Sequence, residues 1–435
     1  MHHPFRAGRA GFVAALLALL PAQAVPQAAS ELYAETFDAH WEALDKDYPY
    51  FELYGVDWDA EREAHRPLAV AAENETEFAW ELARLFTCLP DPHVSFRPAL
   101  DGLAQTWSMP EVETVLIRDR IFVESWPAGQ APTEPATFVG DALAYPEIIA
   151  VRGMPAQGSA EVLVPGPVGT SLDVGLRWPD GQETLHELRR PDEFNFNIES
   201  GHLGEDWLVV GRVGDEGRIG YLGVRSFDPE RATLGPDGKM TTMLRAALVE
   251  LADTEGLIVD FQGNGGGHVA ASDPFLGHLI ERRISYRWGN AGGKRRVIRT
   301  HKPRYRGEVV ALVDERSASG GEWAARILRD AECAVVVGGQ TVGAEAAVHT
   351  SEGPDGSVVN YSAWPMIEPG RTPFQATGIE VDHSLPLTIE DVREHGFDGA
   401  VERVRRARFA RALELLGGGD EHLDALVRIA SRGRE

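Results

Sequence analysis

The stretch Ser317-Ala318-Ser319-Gly320-Gly321-Glu322 decides how this chain is read. It follows the apolar run Glu308-Val309-Val310-Ala311-Leu312-Val313 and precedes a segment, Trp323 to Arg329, with helical character. A small polar residue on a strand-to-helix turn is exposed beside backbone N–H groups that no helix bond has claimed. Such turns also arise because Ser and Gly cap helices well. What raises Ser319 above a cap is a second strand-loop element upstream, Gly256 to Phe261 followed by Gln262-Gly263-Asn264-Gly265-Gly266-Gly267. Backbone without Cβ approaches a substrate closely, and its N–H groups can hold a tetrahedral oxyanion. A phosphate-binding loop is excluded, because no Lys-Ser or Lys-Thr follows the glycines.

Strands and helices alternate around these two loops. Strands are expected at 217–224, 256–261, 308–313 and 334–337, with helices at 240–251, after the glycines and from 320. The order predicts an α/β (mixed α+β) core over residues 205–395, with its chemistry on loops at strand ends. Residues 396–435 are charged and helical in pattern, and are expected to pack as a terminal helix pair. Upstream, residues 30–100 form a helical segment, with apolar positions at three- and four-residue spacing through 31–97. One of its helices covers Glu75 to Phe86; Pro90 and Pro92 then leave Asp91-Pro92-His93 on a rigid turn. Between these parts, residues 105–195 read as a small β-rich domain. Its clearest signal is Pro179-Asp180-Gly181-Gln182 between alternating runs, a hairpin turn.

Bulk properties bound the function. The 435 residues exceed one ordinary core, and 43% hydrophobic with 25% charged residues is the make-up of a globular protein. A net charge of −25 argues against nucleic acid as a partner. Residues 1–24 carry Arg6 and Arg9, an apolar run from Gly11 to Leu20 and Pro21-Ala22-Gln23-Ala24, the three parts of a signal peptide. The run is short for a membrane span, so no integral membrane segment is expected after cleavage, and a periplasmic or secreted protein is. The two cysteines, Cys88 and Cys333, are read as small buried hydrophobes, with pairing left open. Neither has metal-like company, so no metal and no cofactor are expected.

The motifs, taken in order, resemble those of the S41 peptidases, the family of C-terminal processing and tricorn-type proteases. They are Gly217-x-Ile-Gly-Tyr221, Asp260 to Gly267, Ser317 to Glu322, Gly338-x-x-Thr341-x-Gly343 and Gly378-Ile-Glu-Val-Asp382. Tyr48-Pro-Tyr-Phe51, Val56-Asp-Trp58 and Leu89-x-Asp91-x-His93 are similar to the N-terminal helical part of the tricorn-type branch, and 105–195 to a PDZ-like domain. The resemblance implies a crotonase-like S41 core and an exported serine peptidase that acts on a polypeptide through an acyl-enzyme. It implies Ser319 as nucleophile, with the N–H groups of Gly320 and a glycine of 265–267, taken as Gly266, forming the oxyanion hole. A lysine base is removed by Ala344, which stands in its place. The tricorn-type histidine falls on His93, with His268 as the competing base. Where that branch has a serine and a glutamate beside the histidine, this chain has Pro92 and Gln375; Asp91 and Glu380 are the carboxylates left to orient the ring. Those substitutions keep open a non-catalytic binding protein on the same fold.

Overall fold

The computed structural model describes residues 27–99, 107–108, 110–117, 120–135, 144–151, 154–155, 166–192, 207–228, 238–289, 294–367 and 372–432. The expected signal peptide, residues 1–24, lies outside them.

A six-stranded sheet organises the core. Its order is Leu208–Val213, Ile219–Val224, Gly256–Asp260, Glu308–Val313, Val335–Gly338 and His383–Ser384. The first pair is antiparallel and every later neighbour is parallel. Leu257 and Val259 turn to one face and Ile258 to the other, and all three are buried. A parallel strand covered on both sides therefore reads as one continuous apolar run. Helices Lys239–Glu250, Val269–Leu276 and Gly320–Asp330 cover the first face, where Leu244, Phe275 and Ile327 join its core. Helices Phe397–Leu415 and Leu423–Ala430 cover the second, through Phe409, Leu413 and Leu426.

The N-terminal helices are Gln27–Asp47, Phe51–Tyr54, Trp58–Val70 and Glu75–Phe86. The last starts where expected, because the Asn74 side chain accepts from Glu77 N at 3.0 Å and caps it. Helix does not continue to residue 97. Beyond the two prolines, Ser95–Arg97 is a strand, joined antiparallel to Val358–Asn360. It completes a three-stranded sheet with Ala347–Glu352 and Val358–Trp364, on which the helices pack through Phe37, Leu82 and Phe86 against Val359, Tyr361 and Ala363.

The small β-rich region has the expected hairpin, Ser171–Arg177 with Glu183–Arg189, and Gly181 turns it at φ 88°. Its other face, with Val115, Ile117 and Phe122, packs on Leu387, Ile389 and Val404. The C-terminal helices are thus more than a terminal pair: Phe397–Leu415 is wedged between the central sheet and the β-rich region. Both cysteines are free thiols, Cys88 donating to Leu85 O at 3.1 Å and Cys333 to Ala331 O at 3.4 Å. Among the described residues no helix is long and apolar enough to cross a membrane.

Candidate active site

Ser319 stands at the junction of strand Glu308–Val313 and helix Gly320–Asp330 with φ 50° and ψ −119°. A side chain seldom occupies that region, and it persists only where the surroundings over-determine it. Here backbone bonds such as Ala318 N to Asn264 O at 2.9 Å are joined by one carboxylate that takes four donors. Glu322 Oε2 accepts from Ser319 N and Ala344 N, both at 2.9 Å, while Oε1 accepts from Gly343 N at 2.7 Å and Thr341 Oγ1 at 2.5 Å. One buried side chain therefore ties the Ser319 turn to the loop 341–344. Burial pushes its pKa up to about 7, against the pull of those four donors. Ser317 is spent structurally: its hydroxyl donates to Phe261 O at 2.9 Å.

The glycine loop lies directly on this turn. A Cβ added to Gly266 would come within 2.7 Å of Ser319 Cβ and 2.8 Å of Gly320 N, so only glycine fits there. The N–H of Gly266, however, is donated to Asn264 Oδ1 at 2.8 Å. That bond occupies the N–H that the expected oxyanion role of Gly266 would use, and what Gly266 gives here is room. Phe227 clamps the loop by donating to Gly266 O at 2.6 Å and accepting from His268 N at 2.8 Å, which bypasses the N–H of Gly267. Gly267 N and Gly320 N have no acceptor among the described residues, and a Cβ on Gly320 would lie 3.3 Å from Gly267 N. Two unclaimed N–H groups thus sit side by side next to Ser319.

His93 is on the turn after the N-terminal helices. Its ring Nδ1 lies 3.2 Å from Ser362 Oγ, and the Ser362 hydroxyl donates to Asp91 Oδ1 at 3.1 Å. With its proton given to Asp91, the Ser362 oxygen accepts from Nδ1–H, which leaves Nε2 as the basic nitrogen. Asp91 also accepts from His93 N at 2.9 Å and Tyr48 OH at 3.1 Å, so the carboxylate is fixed on three sides. Burial lowers the His93 pKa below its usual value, and the charge of Asp91 opposes that shift.

The remaining candidates separate clearly. Gln375 Oε1 accepts from Glu345 N at 2.8 Å and its Nε2 donates to Tyr54 OH at 3.0 Å; it has no bond to His93. Glu380 is 83% exposed and pairs with Arg329 at 3.0 Å, so it is removed from the set that orients His93. The His268 side chain is exposed, at the start of helix Val269–Leu276. Ala344 is buried, with its N–H held by Glu322, and all four lysines, 46, 239, 294 and 302, are exposed, so no lysine substitutes as a base. Ala344 is followed by the buried Glu345, whose carboxylate accepts from Phe374 N at 3.0 Å. Among the described residues no group of three His, Cys, Asp or Glu side chains is arranged to hold a metal ion.

Sequence reasoning did not single out Ser362, Glu345 or the unclaimed N–H of Gly267. Ser362 carried one faint signal: it is a polar residue in Tyr361-Ser362-Ala363, in a strand whose neighbours are fully buried.

Residues 218–385 match the profile of peptidase family S41, and residues 30–86 that of the tricorn protease C1 domain. The carboxy-terminal processing protease CtpB of Bacillus subtilis is 24% identical over 243 residues, 54% of this chain and 47% of that protein. The chain therefore spans about half the length of that relative. The chloroplastic carboxyl-terminal-processing peptidase 2 of Arabidopsis thaliana is 21% identical, over 80% of this chain and 68% of its own. Among solved structures, mature CPAF superposes with a TM-score of 0.59 at 14% identity, covering 90% of this chain and 98% of its own. A peptidase from Parabacteroides merdae gives 0.51 at 19% identity, with 88% and 96% covered. At these identities the structural likenesses speak to the fold, a mixed α/β S41-type architecture.

Proposed function

We propose that this chain, whose residues 218–385 form a peptidase family S41 domain, is an exported serine peptidase that cleaves polypeptides through a Ser319 acyl-enzyme. The observation that carries the reading is Ser319 itself, held at φ 50° beside the two unclaimed N–H groups of Gly267 and Gly320. In this reading Ser319 Oγ attacks the scissile carbonyl while His93 Nε2 accepts its proton. The developing oxyanion is held by Gly320 N–H and Gly267 N–H, in place of Gly266. His93 returns the proton to the leaving amine, and water, deprotonated by the same nitrogen, hydrolyses the ester. Asp91 orients the base through Ser362, so a carboxylate two residues before the histidine does the work that Gln375 cannot. The β-rich region, read as PDZ-like, is suited to hold an extended chain terminus by strand addition. Export rests on the signal-like residues 1–24.

The second reading is a binding protein that retains the fold, favoured by Ala344 and Gln375 where lysine or glutamate would assist catalysis. A fluorophosphonate probe separates the two. Wild type is expected to be labelled and to turn over unfolded polypeptide, and Ser319→Ala to do neither, a loss of at least about 10⁴-fold in kcat. Labelling that survives Ser319→Ala, or none in wild type, overturns the peptidase reading.

A further inference from the structure

One segment reverses the charge of the molecule. Residues 281–308 hold ten Arg and Lys against two Glu, a net +8 inside a chain whose total is −25. Their centre is the antiparallel hairpin Ile284–Trp288 with Lys294–Ile298, in which Arg287 stands directly opposite Arg295. Arg282, Arg283, Arg287, Lys294, Arg295 and Arg299 are all exposed. Among the described residues only Arg304 of this set reaches a carboxylate, Glu281 at 3.3 Å. Like charges directly opposite on a hairpin cost stability, so an unneutralised Arg287–Arg295 pair is dear unless something else uses it. Charges on an edge strand also discourage edge-to-edge pairing, and Lys294–Ile298 is an edge of its sheet. That role does not account for Arg282, Arg283 and Arg299, which lie beyond the strands.

The hairpin is wired to both halves of the proposed catalytic set. Tyr286 packs against Trp323, four residues after Ser319, with ring centroids 4.7 Å apart. Asp273 accepts from Tyr286 OH at 2.8 Å and from Trp323 Nε1 at 3.4 Å, locking the two together. At its tip, Gly289 N donates to Pro365 O at 3.1 Å, three residues past Ser362. Arg296 lies over the Trp288 ring at 4.3 Å, so the cation is held by a face and not by an acid.

We propose that this hairpin binds an acidic stretch of the polypeptide substrate, laid extended along the edge strand Lys294–Ile298. The occupant follows from charge and from shape. Eight of the ten cations are arginine, whose planar fork matches a carboxylate in two-point contact, and an open strand edge pairs with extended backbone. The rest of the chain carries a net −33, the total of −25 less the +8 of this segment, which disfavours such a stretch over most of the surface and so orients it. The inference rests on the peptidase reading for its word substrate, but its test does not need turnover.

The test uses the full chain as Ser319→Ala, with a fluorescent Asp/Glu-rich peptide and a neutral peptide of equal length, followed by anisotropy at low and at about 0.5 M salt. Adding Arg287→Glu and Arg295→Glu is expected to weaken the acidic peptide about ten-fold or more at low salt and to leave the neutral one unchanged. The difference is expected to vanish at high salt, where the Debye length is only a few ångströms. Equal affinity of both proteins for the acidic peptide overturns the proposal. So does charge-dependent binding to phosphatidylglycerol vesicles without binding to the acidic peptide, which assigns the hairpin to a membrane surface. If the peptide binds as expected while wild type shows no turnover, the peptidase reading falls and this inference stands.

Discussion

Ser319 and His93 hold their places by opposite means. The serine turn is built mainly from two stretches, residues 260–267 and 317–344, with Phe227 clamping the first, and four of its bonds converge on one buried carboxylate. The histidine turn is three residues of loop whose orientation comes from a side chain 269 positions away, Ser362. A nucleophile turn built locally survives whole as a sequence motif, whereas the partner that orients a base across the fold does not. The contrast also predicts how each breaks: the serine side through backbone and stability, the histidine side through chemistry with the fold intact.

After loss of the nucleophile itself, the largest effect is expected at His93. His93→Ala removes the general base and should lower kcat by about 10³- to 10⁴-fold without changing the melting temperature by more than about 2 °C. His268→Ala, which touches neither Ser362 nor Asp91, is expected to stay within a few-fold of wild type. Peptide turnover beside thermal unfolding decides it, and the reverse order of the two variants makes His268 the base.

The same contrast explains how far the sequence could be read. Strand Glu308–Val313 and helix Glu75–Phe86 were legible to the residue, because each is an unbroken pattern with its stop signals in place. Ser319 was legible because strand, turn and helix are contiguous. Ser362 was not, since nothing local distinguishes it from any serine on a buried strand; only the pairing of Ser95–Arg97 with Val358–Asn360 brings its strand beside His93. Gly266 was preferred to Gly267 for a related reason. Three consecutive glycines look alike until the Asn264 side chain claims one N–H and leaves another. The basic hairpin was hidden by an average, since a net charge of −25 says nothing of where the positive charges sit.

On the serine side the decisive contrast is between two glutamates. Glu322 accepts two donors on each oxygen, so Glu322→Gln turns an NH₂ group toward two N–H or O–H donors whichever way the amide faces. About 2–4 kcal/mol of stability should be lost, and with it the labelling rate of Ser319. Glu380→Gln removes a surface pair with Arg329 and should cost under about 1 kcal/mol. Denaturant unfolding of the two variants measures the difference, and equal losses would mean that the Glu322 network does not hold the turn.

The smallest effect is the finest probe of the histidine side. His93 acts as a base only when neutral, and burial lowers its pKa below the usual 6.5 while Asp91 raises it part of the way back. Activity is therefore kept as pH falls to 6.5 and lost only below it, as the ring takes up a proton in the free enzyme. Asp91→Asn removes the raising charge, so the acid limb of kcat/KM should move to still lower pH. Ser362→Ala keeps that charge, and its limb should stay close to wild type, but it takes the partner from Nδ1. With both tautomers then populated, kcat should fall by an amount on the order of ten-fold, independent of pH above the limb. A charge acting at a distance and a hydrogen bond fixing a tautomer thus leave different marks on one profile. If Asp91→Asn and Ser362→Ala moved the limb equally, the pair would not act as a relay, and the carboxylate would contribute only by keeping Ser362 in place.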